Sequence, residues 1–326
     1  MIDRIIGFSP RLITNDSHGK TNNFQYINFS NKYNLEKDTV SFSGKHKPPQ
    51  TPNFPPRVQQ ALSVQSKLNR LYRSNNLSLE NIQEVLSAKS PVPVTVKPMS
   101  ELPHLLNGQN CRAYMQPVYE KDMKLSSAII YLNPQFSNKR EATSLISDCV
   151  HEYTHILQRH EDGDYVGLSK FTSNLEEARF LGFIAGHTMR DIEQSLLKSM
   201  NSNSKFTEIV GKKSKTLAPV TKEDIIPFLP KKEQIKENIE LSLNANFQNT
   251  MDMFKVPKKY MGEYLFFFVK SKPYLEQSII KQFEMESEAK QADIESRRTG
   301  LLPDYEEIFD NRINKSFYDA FLEIMK

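Results

Sequence analysis

Only two cysteines occur in the 326-residue chain, which excludes a disulfide framework, a four-cysteine zinc ribbon and an iron–sulfur cluster held by cysteines alone. Charge of one sign is also scarce. Forty-three basic against 39 acidic side chains leave a formal net charge of +4, with the signs interspersed, so no nucleic-acid partner is expected. Long apolar runs are missing: the longest, such as residues 265–269, fall far below the roughly 18 residues of a membrane span. No membrane span is predicted. The apolar stretch at residues 5–8 is shorter than the about 7–15 residues of a secretory signal, which predicts a soluble chain that is cytoplasmic or exported without a classical signal peptide.

Three regions follow from composition and periodicity. Residues 1–56 are rich in Asn, Ser, Lys and Pro, and five of the nine residues from 48 to 56 are proline, which predicts a disordered leader ending in an extended spacer. A docking tail or an inhibitory segment is the alternative reading. Residues 57–170 are expected to form an α+β subdomain. Val58, Ala61, Leu62, Val64, Leu68 and Leu71 recur at helical spacing, and a second short helix starts near Ser78. Strands are predicted at 92–96, where Pro93 suits an edge, and at 111–118 and 127–132, joined as a hairpin. Residues 171–326 read as a helical subdomain, with loops expected near 160–167, 201–215 and 297–303.

The chemistry is concentrated in one stretch, residues 126–160. Asn138, with Glu141 three residues on, opens a long amphipathic helix near Lys139 that carries His151 and His155 on adjacent turns, roughly 40° apart around the axis. Both imidazoles can reach one ion. Ala142, Leu145, Ile146, Cys149, Tyr153, Ile156 and Leu157 fall on the opposite side, so the apolar stripe and the histidine face are distinct; Ser144, Ser147, Asp148 and Gln158 share the histidine side. With seven histidines in the chain, a His-Glu-x-x-His spacing is expected by chance only about 0.01 times. The plainer reading is two surface histidines decorating a helix.

Through His151-Glu152-Tyr153-Thr154-His155 on a helix that follows a strand, the sequence resembles the zincin metallopeptidases over about residues 125–190. The resemblance implies a zincin-like α+β fold, a small sheet and active-site helix followed by a mainly helical C-terminal part. It also implies Zn2+ as cofactor, a peptide or protein substrate, and Glu152 as the base that activates water for peptide-bond hydrolysis. It further implies that residues 127–132 hold the substrate as an added strand along a sheet edge. The metzincin pattern fails, because Gln158 and Glu161 stand where glycine and histidine are required and His160 is one position early. Asp162 and Asp164 only distantly echo the aspzincin loop. Gluzincins draw a glutamate from the next helix, which points to Glu177, on a face with Leu181, Ile184 and Thr188, over Glu176 as third ligand. Glu177 can equally be completing a capping box with Asn174. His187, Tyr165 and Arg179 are the nearest oxyanion donors in sequence, Asp148 is a candidate to orient His151, Cys111 is a remote candidate ligand, and Cys149 reads as core. Against the hydrolase stands a different class, a catalytically inactive zincin-like helical interaction protein.

Overall fold

The computed structural model describes residues 54–102, 112–162, 167–216 and 218–326. The leader up to residue 53, Cys111, Asp164 and Tyr165 lie outside the described residues.

Elements form where local signals agree. Helix α1 (Pro56–Arg73) starts on a proline at its first position, and α2 (Leu79–Ser87) is capped by Ser78, whose Oγ accepts from Asn81 N at 3.2 Å. Strand β1 (Val94–Pro98) runs parallel to β3 (Leu125–Leu132), and β2 (Ala113–Tyr119) runs antiparallel to it, giving the order β1-β3-β2. The expected hairpin and the β1 edge are present. Residues 127–132, however, lie in the central strand, bonded on both sides, so they cannot take up a substrate strand. Ala128 directs its amide to Pro93 O at 3.0 Å, which makes its pairing with Pro117 the kind without mutual hydrogen bonds. Pro117 thus faces the outer edge of β2, where a missing N–H breaks no ladder bond.

Helix α3 (Lys139–Asp162) covers the sheet. Asn138 Oδ1 accepts from Glu141 N at 3.0 Å, while the Glu141 carboxylate reaches one residue further back and accepts from Ser137 N at 2.9 Å and Ser137 Oγ at 2.5 Å. All seven predicted stripe residues are buried, in one cluster with Val58, Ala61, Val64 and Leu68 of α1 and Ile130 and Leu132 of β3.

The remainder is helical: α4 (Leu175–Asn201), α5 (Ser204–Thr216), the single turn α6 (Lys222–Ile225), α7 (Lys232–Met253), α8 (Met261–Arg298) and α9 (Tyr305–Met325). The loop expected over 201–215 is mostly α5, anchored one turn apart by the buried Phe206 and Val210. Helix α8 is the organising element of this half: 38 residues long, with Pro273 inside it, it packs against α1, α3, α4 and α9. Its C-terminal part covers the face of α3 opposite the sheet, so α3 is enclosed on two sides. Phe283 of α8 stacks on Phe321 of α9 with centroids 3.9 Å apart. The fold is α+β, a small three-stranded sheet in a largely helical body.

Candidate metal centre

His151 and His155 project from α3 toward α8, and the two Nε2 atoms are 3.2 Å apart. Opposite them stands Glu286 of α8, with Oε2 3.6 Å from His151 Nε2 and Oε1 3.4 Å from His155 Nε2. Bonds of about 2.0–2.1 Å at tetrahedral angles put ligand atoms roughly 3.3–3.4 Å apart, a spacing close to that between the two nitrogens and between each nitrogen and its nearer Glu286 oxygen. One ligand atom from each of the three residues lies within 4.8 Å of the others. Two imidazoles and a carboxylate also suit other first-row divalent metals.

Protonation is arranged by neighbours. Gln158 Nε2 donates to Met285 O at 3.0 Å and to Glu288 Oε2 at 2.9 Å, which fixes the amide so that its Oε1, 2.8 Å from His155 Nδ1, accepts from that nitrogen. His155 therefore carries a proton on Nδ1, which leaves the Nε2 lone pair available to an ion shared with Glu286. His151 Nδ1 is buried with no hydrogen-bond partner among the described residues. Burial alone would raise the Glu286 pKa, but the two imidazoles outweigh it and hold the carboxyl well below its ordinary range. In turn, burial would lower His155, and the Glu286 carboxylate reverses this and raises it.

Glu152, buried at 8% exposure, is pushed upward by burial, with the two histidines pulling the other way.

The other sequence candidates are engaged elsewhere. Glu177 does not join the histidines: its carboxylate accepts from the Thr172 hydroxyl, while its backbone N–H and that of Glu176 donate to Asn174 Oδ1 at 3.3 and 2.9 Å. It sits at the N-terminus of α4, where Asn174 caps the helix as expected. The Glu177 carboxylate goes to Thr172, whose Oγ1 accepts from Asn174 N at 3.1 Å, and not into the reciprocal bond of a capping box. Glu176 pairs with Arg179 at 2.7 Å, and His187 lies against the Phe183 ring at 4.2 Å. Asp162 pairs with Lys281 at 3.0 Å. Asp148 does not orient His151; it accepts from Arg297 at 3.1 Å and Arg112 at 3.2 Å. Cys149 is buried in the core as expected.

Glu286, 131 positions after His155, was invisible to motif spacing, yet α8 carries a signal. Along one stripe, Ile279 and Phe283 give way to Glu286, Lys290, Asp293 and Arg297 at the same alternating spacing of three and four residues. Titratable residues where a core stripe should continue call for partners, and Arg297 and Asp293 are indeed 0% and 2% exposed. Close by, Tyr318 of α9 donates to Glu193 Oε1 of α4 at 2.5 Å. Burial, with added repulsion from Glu286, raises Glu193 to about 7 although that hydrogen bond opposes it. Comparison of the chain with protein-family models, with curated proteins and with solved structures finds no match.

Proposed function

We propose that the chain is a metal-dependent hydrolase of the zinc peptidase kind, with His151, His155 and Glu286 holding the ion and Glu152 as general base. The convergence of His151, His155 and Glu286, with one ligand atom from each within 4.8 Å of the others, supports this reading most directly. Two neutral imidazoles and one carboxylate would leave a bound zinc a net positive charge, with which it would acidify water and polarise a carbonyl. Glu286 supplies the ligand that the gluzincin resemblance places on the next helix, from a helix far later in the chain. Glu152 takes the proton from the attacking water and passes it to the leaving amine. Glu152, adjacent in sequence to His151, favours hydrolysis over the redox chemistry that two histidines and a carboxylate also support with iron. A peptide backbone cannot add to the fully paired β3; the outer edge of β2, interrupted at Pro117, is the sheet edge alongside α3.

Elemental analysis combined with a peptide-library digest tests the proposal. Wild type is expected to hold one zinc per chain and to cleave. Glu152→Gln should keep the zinc and lose turnover by about 10²–10⁴-fold. Folded protein that takes up no zinc, or cleavage that survives Glu152→Gln, would refute the hydrolase, and the former leaves the inactive interaction protein as the better account.

A further inference from the structure

Nine large hydrophobic side chains are exposed among the described residues, and six of them crowd into one short stretch. Met253 and Phe254 end α7, and Met261, Leu265, Phe266 and Val269 lie on the first turns of α8. Phe254, Leu265, Phe266 and Val269 are each more than half exposed. The stretch is a surface by design of its helix. Tyr264, Phe268, Ser271 and Leu275 form the buried row of α8, and at about 100° per residue Met261, Leu265, Val269 and Phe266 fan out from 60° to 200° away from it. Phe254 lies beside them against the α4 rings of Phe180 and Phe183, at 6.0 and 6.2 Å.

Charge accompanies this apolar face. Lys255, Lys258, Lys259 and Lys270 are all exposed, and none of them pairs with a carboxylate among the described residues. Two turn back over aromatic rings instead, Lys270 over Phe266 at 4.3 Å and Lys259 over Tyr260 at 4.7 Å. Within residues 253–270 Glu263 alone is acidic, with Asp252 just before them.

We propose that the α7–α8 corner, residues 253–270, is a peripheral docking surface for an anionic lipid bilayer. Exposed Phe, Leu, Val and Met side chains enter the boundary between headgroups and acyl chains, while the four lysines meet lipid phosphates and carboxylates. The same face pairs poorly with a second copy of the chain, since a two-fold contact would set these lysines against one another. No helix of the described residues is long and apolar enough to cross a membrane, so attachment is to one leaflet. Twenty residues of α8 separate Phe266 from Glu286, about 30 Å at 1.5 Å per residue, so the docking surface and the metal centre lie well apart along the helix. The docking surface stands independently of the hydrolase reading.

Sedimentation of the full chain with extruded vesicles of phosphatidylcholine alone, or with about 30% phosphatidylserine, tests the proposal. Wild type is expected to bind the anionic vesicles at least about tenfold more tightly than the neutral ones, and more weakly as salt rises. Leu265→Glu with Phe266→Glu, and separately Lys258→Glu with Lys259→Glu, should each reduce binding by about tenfold with an unchanged far-ultraviolet spectrum. A charge-matched control elsewhere, Lys231→Glu with Lys232→Glu, should leave it intact. The chain contains no tryptophan, so Phe266→Trp provides a single reporter whose emission should shift to the blue on anionic vesicles. Absence of vesicle binding, equal loss in the control, or an unshifted emission from the Phe266→Trp variant would overturn the proposal. So would concentration-dependent dimers that Phe266→Glu dissolves without any vesicle binding, which would mark a self-association face.

Discussion

Gln158 shows how much a single side chain can settle. Its Nε2 donates to two oxygens of α8, its Oε1 is thereby committed to His155 Nδ1, and the tautomer of His155 follows. Gln158→Ala should weaken metal binding by about 10–100-fold with the ligands untouched, measured by competition with a chelating dye. The two candidate carboxylates separate in the same assay. Glu286→Ala should abolish stoichiometric metal, whereas Glu177→Gln should retain it and lower the melting temperature only slightly, because Glu177 is bonded to Thr172 at the start of α4. Retention of metal by Glu286→Ala would overturn the ligand set. His151 and His155 were legible in the sequence because a one-turn spacing is a property of the helix itself. Glu286 was not, because nothing in covalent connectivity relates position 286 to position 155.

At the scale of elements, the pairing of α3 with α8 brings the site together, and Arg297 is its fastening. Fully buried, it donates to Asp293 at 2.7 Å on its own helix, to Asp148 at 3.1 Å and Ser144 at 3.2 Å on α3, and to Glu307 on α9. Asp148 lies one turn before His151, so this clamp holds α3 against α8 beside the metal centre. Arg297→Ala should destabilise the fold by about 3–5 kcal/mol, because it removes the buried cation shared by three carboxylates and leaves Asp148 and Glu307 to the half-exposed Arg112 and Asp293 to Lys290 at 3.5 Å; chemical denaturation measures this. The end of α8 is equally constrained. A Cβ on Gly300 would lie 2.8 Å from Thr143 Cγ2 of α3 and 3.1 Å from Ser296 O, so Gly300→Ala must push the chain off α3 and should cost about 1–3 kcal/mol. The sequence predicted a loop over 297–303, and chain breakers sufficed for that. Why a glycine stands there is decided by the neighbouring helix.

The whole molecule balances carboxyl groups shifted in opposite directions, and its stability depends on pH accordingly. Burial, aided by Glu286, raises Glu193 to about 7, and burial together with Glu307, Glu306 and Asp304 raises Asp310 to about 6. The folded state holds these protons more tightly than the unfolded chain, so this stabilisation is complete below the ordinary carboxyl range and is lost as pH rises to 6–7. Glu286 and Asp293 are lowered despite burial, by the histidines and by Arg297 respectively, so their contribution is present above the ordinary range and is lost as pH falls. Melting temperature should therefore decline from about pH 5 to pH 8, and Glu193→Gln should flatten that decline; an unchanged slope would contradict the assignment. Metal should raise the melting temperature in the wild type and not in Glu286→Ala, since a ligand that binds only the folded state stabilises it. Local periodicity determined α1, α2, the start and core stripe of α3 and the three strands, because these follow from spacing within a dozen residues. The tertiary structure alone decided that residues 127–132 are the central strand, that Glu177 serves a helix terminus, and that Glu286 faces the histidines, because strand order and long-range ligand choice depend on how distant helices pack.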